Sequence, residues 1–260
     1  MKRMFTLALS SLVLAVPGLQ AAPLWVSGSL PDAVLFELDS TDGSLVRTLD
    51  VPGQFADALS FSNDGLSIWL LDSSTNSDIR RVRASDGALE QSFFLPIDAE
   101  GLTVLSSGTL VIGGGTSGRI AFVNPVTETE TSSFSVRRQL FGLSSNATDR
   151  LYGLTIDGDI DVYDFGGTLL DTIVTPALGV TLGLAYTGSS FFIVNTNHSL
   201  FEVDLAGNLI RTLSVPGSGR FTEGLDFPVG VQVPPVPEPG SLALLAIGLL
   251  GAWRVRRLRS

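Results

Sequence analysis

The 260-residue chain contains no cysteine and a single histidine. The first absence excludes disulfides, thiolate nucleophiles and thiolate zinc sites together. The second leaves any imidazole acid–base system dependent on His198, which sits in the polar turn Asn195-Thr196-Asn197-His198-Ser199 between two apolar runs. A polar loop histidine reads as solvated sooner than as catalytic. Lysine is nearly missing too: Lys2 is the only one. Between Pro23 and Val236 there are 25 acidic residues against ten basic ones, all arginine, a net charge of about −15. Such a surface repels nucleic acid and other polyanions, which excludes a nucleic-acid partner, and it attracts divalent cations. Absent as well are a Gly-x-Ser-x-Gly elbow, a His-Glu-x-x-His helix and a phosphate-cradling glycine loop. The glycines at 113–115 close a strand. The chain therefore reads away from an enzyme.

Long apolar runs are also scarce, and both lie at the ends. Lys2 and Arg3 precede an apolar stretch from Met4 to Val16, then Pro17-Gly18 and Leu19-Gln20-Ala21-Ala22. That is the order of a secretory signal peptide, expected over residues 1–22. At the other end, Pro237-Glu238-Pro239 is followed by the uncharged run Ser241 to Trp253 and then by Arg254, Arg256, Arg257 and Arg259. Thirteen helical residues span about 20 Å, short of the ~30 Å hydrocarbon core. Val255 and Leu258 could lengthen the span while the arginines snorkel. The four arginines would anchor the cytoplasmic side and leave the Pro-Glu-Pro segment outside. Proline holds that segment extended.

The middle of the chain is periodic. Asp57-Ala58-Leu59-Ser60-Phe61, Glu100-Gly101-Leu102-Thr103-Val104, Phe141-Gly142-Leu143-Ser144-Ser145, Leu182-Gly183-Leu184-Ala185-Tyr186 and Glu223-Gly224-Leu225-Asp226-Phe227 share a small-residue–leucine pair. The leucines are 43, 41, 41 and 41 residues apart. Residues 43–53 match residues 207–217 at eight of eleven positions, four periods of 41 away. Within each period the apolar rhythm is two, as in Ser67–Leu71, Ser190–Val194 and Leu200–Asp204, with turn residues such as Asn63-Asp64-Gly65, Asp42-Gly43, Asp86-Gly87 and Gly166-Gly167 between strands. Four strands per 41 residues predict an all-β, five-bladed β-propeller. Three strands precede the first motif, and the last motif strand has none after it. Together they make one blade, so the N- and C-terminal strands close the ring.

The tail resembles the PEP-CTERM sorting signal of exported bacterial proteins. That resemblance implies processing by an exosortase, a transient stay in the inner membrane, and association with exopolysaccharide. The repeats look like those of NHL-type and SMP-30/lactonase-type propellers and of the esterase-like phytases. The expected organisation is a signal peptide at 1–22, a propeller at 23–230, a Pro-rich stem with the PEP motif at 231–240, and a transmembrane helix with a basic tail at 241–260.

The residues before the small-residue–leucine pairs, Asp57, Glu100, Phe141, Leu182 and Glu223, fall at one rim of the central channel. Asp57, Glu100 and Glu223 could there hold Ca²⁺ or Mg²⁺, both oxygen-seeking ions; Phe141 and Leu182 break the acidic ring. Asp157-Gly158-Asp159-Ile160-Asp161, with Asp164, has alternate-Asp spacing but no distal glutamate, and reads as a hairpin turn with Asp159 and Asp161 on the solvent face. Arg80, Arg81, Arg83, Arg137 and Arg138 read as surface charges paired with local acids. The sequence thus points to an exported, exosortase-sorted surface or extracellular-matrix protein, as of a biofilm, whose propeller binds polysaccharide or protein. The alternative is a metal-dependent hydrolase of lactonase or phosphoesterase type with a divalent ion at the channel mouth.

Overall fold

Each 41-residue period folds into one four-stranded antiparallel sheet, because period-two alternation gives every strand apolar side chains for the neighbouring sheet and the turn residues reverse the chain between strands. The computed structural model describes residues 23–29, 31–73, 77–215 and 221–228. The expected signal helix and transmembrane helix, the PEP motif Pro237-Glu238-Pro239 and the cluster Arg254, Arg256, Arg257 and Arg259 lie outside the described residues.

The chain opens with β1 (Pro23–Ser29), β2 (Val34–Asp39) and β3 (Leu45–Asp50). Blade 1 contains β4 (Ala58–Phe61), β5 (Ser67–Asp72), β6 (Asp78–Arg83) and β7 (Leu89–Phe94). Blade 2 contains β8 (Gly101–Val104), β9 (Leu110–Gly114), β10 (Arg119–Asn124) and β11 (Thr129–Ser135). Blade 3 follows with β12 (Leu140–Ser145), β13 (Leu151–Thr155), β14 (Ile160–Tyr163) and β15 (Leu169–Ile173), and blade 4 with β16 (Thr181–Tyr186), β17 (Ser190–Asn195), β18 (Ser199–Asp204) and β19 (Leu209–Ser214). The last strand, β20 (Phe221–Asp226), returns to the start. It pairs antiparallel with β1, Trp25 opposite Asp226 and Val26 opposite Leu225, and the closing sheet has the order β20-β1-β2-β3. The described residues therefore form an all-β propeller of five blades closed by its terminal strands.

The cores sit between blades. Leu59, Phe61, Ile68 and Leu70 of blade 1 pack on Trp25, Leu35 and Leu49 of the closing blade. Leu71 and Ile79 face Leu102, Leu110 and Ile112 of blade 2. Val111 and Ile120 meet Leu140, Leu151 and Tyr163 of blade 3, and Tyr152 and Leu154 meet Leu184, Phe191 and Ile193 of blade 4. The circle ends where Phe192 and Val194 meet Leu24, Phe36 and Leu225. Each interface is apolar, so no blade leaves a sheet face uncovered. The outermost strands are solvated, as in β3 and β7, where the fifth residue of each is the buried one.

The small-residue–leucine pair has a steric cause. The innermost strands β4, β8, β12, β16 and β20 crowd around the axis. A Cβ on Gly101 would lie 2.7 Å from the backbone nitrogen of Leu143, one on Gly142 2.9 Å from that of Leu184, one on Gly183 2.1 Å from the carbonyl oxygen of Glu223, and one on Gly224 2.7 Å from the nitrogen of Leu59. Backbone replaces side chain at these positions. The leucines that follow, Leu59, Leu102, Leu143, Leu184 and Leu225, are all buried and surround an axial cavity of about 10 Å³. That is at the lower limit for one water. Among the described residues no through-channel opens: a leucine plug separates two mouths.

Candidate functional site

The inner strands start at one mouth and end at the other. Their starts bring Asp57, Glu100 and Glu223 together. Burial pushes Glu223 up to about 9, with the hydrogen bond to Asp57 and the charges of Asp57 and Glu100 adding to it and Ser29 opposing. Glu100 is pushed up to about 7 by burial and by the charges of Asp57 and Asp98, against a hydrogen bond from Ser73. Asp57 is buried and accepts the Ser73 N–H at 2.6 Å. Glu223 Oε2 is buried with no hydrogen-bond partner. Burial and the neighbouring carboxylates thus favour the neutral form of Glu223, and less strongly that of Glu100. Leu182 also lines this end of the axis. Among the described residues, no group of three or more histidines and acids is arranged to hold a metal ion.

The other mouth was not singled out by sequence reasoning. It is a cavity of about 280 Å³ at the ends of the inner strands, lined by Ser60, Thr103, Ser144, Ser145, Tyr186 and Asp226 among others. A signal was available: these residues lie one or two places after the motif leucine in every period. Their side chains stitch one blade to the next. Asp226 accepts from Ser60 Oγ at 2.8 Å and from Phe61 N at 2.9 Å. Ser60 Oγ accepts from Val104 N at 3.2 Å, and Ser144 Oγ from Tyr186 N at 3.0 Å. Thr103 Oγ1 and Ser145 Oγ are 3.4 Å apart. Burial raises Asp226 to about 6, opposed by the hydrogen bonds of Phe61, Phe227 and Ser60.

Two readings of side chains change. Arg80 is not a surface charge: it is buried, donates to the carbonyls of Pro52 and Phe55, and lies 3.4 Å from Asp72. Asp161 is buried rather than on the solvent face. It meets Arg138 at 3.3 Å, Tyr163 Oη at 3.1 Å and Thr172 Oγ1 at 2.8 Å, while Asp159 meets the same Arg138 at 3.3 Å. The Asp-rich hairpin is thus cross-linked by a guanidinium. His198 takes a positive φ of 59° in its turn, and its carbonyl accepts from Val215 N. Arg81 and Arg83 do pair with nearby acids, both reaching Glu90.

Residues 235–257 match the PEP-CTERM protein-sorting motif. No curated protein matches the chain. Among solved structures, a chain of the nidogen/laminin complex is 12% identical, with 81% of this chain and 99% of that one covered and a TM-score of 0.58. The glutaminyl cyclase of Myxococcus xanthus is 14% identical, covering 62% and 71%, at a TM-score of 0.55. A protein of unknown function from Bacteroides caccae is 14% identical, covering 78% and 77%, at 0.50. At such identities the likeness is one of fold. The motif marks an exported protein that an exosortase processes after a transient stay in the membrane. The chain is a five-bladed β-propeller carrying a C-terminal PEP-CTERM protein-sorting motif.

Proposed function

We propose that, once processed, the propeller works at the cell surface or in the extracellular matrix as a binding module for polysaccharide or protein. In this reading residues 1–22 are the signal peptide, 23–230 the working domain, 231–240 the stem and 241–260 the membrane segment. The observation that carries it is the open, hydroxyl-lined mouth on a ring whose axis is sealed. A rigid scaffold with an open polar face and no path through its centre suits recognition. Fractionation tests the reading. The mature propeller is expected in the surface or matrix fraction and should come free when matrix polysaccharide or protein is digested. Recovery as freely diffusing protein in the medium overturns it.

The alternative, a metal-dependent hydrolase, needs a divalent ion held by Asp57, Glu100 and Glu223. Their convergence favours it; among the described residues they do not form a group arranged to hold a metal ion. Thermal melts with Ca²⁺, with Mg²⁺ and with EDTA separate the two. We expect the three curves to coincide. A rise of several degrees with either ion, reversed by EDTA, would restore the metal reading.

A further inference from the structure

We infer that the hydroxyl-lined mouth is a binding site for an uncharged sugar ring, engaged through Thr103, Ser144 and Ser145 and flanked by Tyr186. The inference rests on the binding-module reading and names its ligand class.

Size comes first. A cavity of about 280 Å³ lies at the small end of ligand sites and takes one ring better than a folded peptide segment. Chemistry comes second. Each hydroxyl both donates and accepts, which matches the hydroxyls of a sugar. Ser144 uses its oxygen to accept from Tyr186 N and keeps its hydrogen to give, and the Thr103–Ser145 contact, at 3.4 Å, is long enough to yield to a better partner. Charge comes third. Among the described residues no arginine or lysine lines the mouth, so an anion finds no counter-charge from them there. The one carboxylate, Asp226, is already engaged by Ser60 and by the backbone of Phe61, which leaves it poorly placed to hold a cation. Nor do the aromatics form a cage for a quaternary ammonium group. Phe61 turns into the inter-blade core against Trp25, at 5.9 Å, and Phe227 against Phe192, at 5.3 Å. Tyr186 is the partly exposed ring: it packs on Tyr152 at 4.8 Å and Phe191 at 5.2 Å, donates its hydroxyl to the Gly188 carbonyl at 3.0 Å, and lies at the rim where the edge of the ring can flank a sugar.

A polymer fits this mouth better than a free monosaccharide. Asn63 and Val104 are shared with a groove of about 500 Å³ that runs over Trp69 and Arg81 toward Asn124, so a second sugar unit has a path outward between blades 1 and 2.

The test uses the full chain purified in detergent, with dextran, mannan and galactan as neutral probes, glucose, mannose and galactose beside them, and polygalacturonate as the acidic control. We expect at least one neutral polymer to bind and its monosaccharide to compete weakly. The double variant Thr103→Val/Ser145→Ala should lose at least tenfold in affinity at a temperature well below its own melting point, where circular dichroism still shows the parent's β-structure, and Ser132→Ala on the outer edge should bind as the parent does. Equal binding by the double variant and the parent, binding of polygalacturonate alone, or no binding of any sugar overturns the inference. If sugars fail but the chain still binds a matrix protein, the ligand class falls and the binding-module reading stands. If the chain is also found free in the medium, both fall.

Discussion

Carboxyl groups in this chain fall into two sets that pull stability in opposite directions with pH. Asp42, Asp86, Asp164 and Asp204 cap the hairpins before the outermost strands, each accepting a backbone N–H two residues on, and hydrogen bonds hold them below the usual carboxylate range, led by the backbone N–H of Ser44, Ala88 and Thr168 for the first three and by the Asn208 side chain for Asp204. Their contribution is present at neutral pH and fades as the solution is acidified through their lowered values. Glu100 and Glu223 behave the other way. Both start from 4.5 in the unfolded chain and rise in the fold, to about 7 and about 9. Between those limits the folded form keeps protons that the unfolded chain has released, so what they contribute is complete below about pH 4.5 and is lost as the pH climbs through 7 toward 9. Melting temperature should therefore fall from pH 5 to pH 9. Glu223→Gln, which stays neutral and can still donate to Asp57, should flatten that fall. A parent whose melting temperature is constant over this range would rule out the raised values of Glu100 and Glu223.

At the level of strands, the glycine positions set how closely the blades approach. Gly183 faces the carbonyl oxygen of Glu223, where a methyl group would sit at 2.1 Å. Gly183→Ala should cost about 1–3 kcal/mol through overpacking, roughly 2–4 °C of melting temperature per kcal/mol for a domain of this size. Calorimetry would show it, and an unchanged melt would mean that the inner strands part easily. The periodic parts of the molecule were legible in the sequence. Blade number, strand count per blade, the closing pair and the gathering of Asp57, Glu100 and Glu223 all follow from one register repeated every 41 residues. What stayed hidden depends on side-chain partners in other loops and strands. Arg80 is buried because the loop carbonyls of Pro52 and Phe55 receive its guanidinium, and Asp161 because Arg138, Tyr163 and Thr172 enclose it. Strand alternation carries no information about such cross-loop pairs. The hydroxyl mouth was missed for another reason: serine and threonine after a motif leucine look like ordinary strand residues until the strand ends converge.

The whole molecule joins a sealed ring to an address. Replacing Pro237-Glu238-Pro239 by alanines should block exosortase processing and leave full-length protein in the inner membrane, with the shorter mature band lost on an immunoblot of membrane and soluble fractions. A normal mature band would disconnect the motif from processing. The closing blade adds a directional consequence. β1 starts, and β20 ends, beside the Trp25–Asp226 pair, and Phe227 and Pro228 line the hydroxyl mouth. From Pro228 to Pro237 the chain spans nine residues, at most about 30 Å when fully stretched. With the tail inserted as proposed, a linker of that length would keep that face near the lipid headgroups and turn the acidic face outward. Severing the tether would unveil the recognition surface in the same step that frees the protein, so that capture begins only after the cargo has left the bilayer.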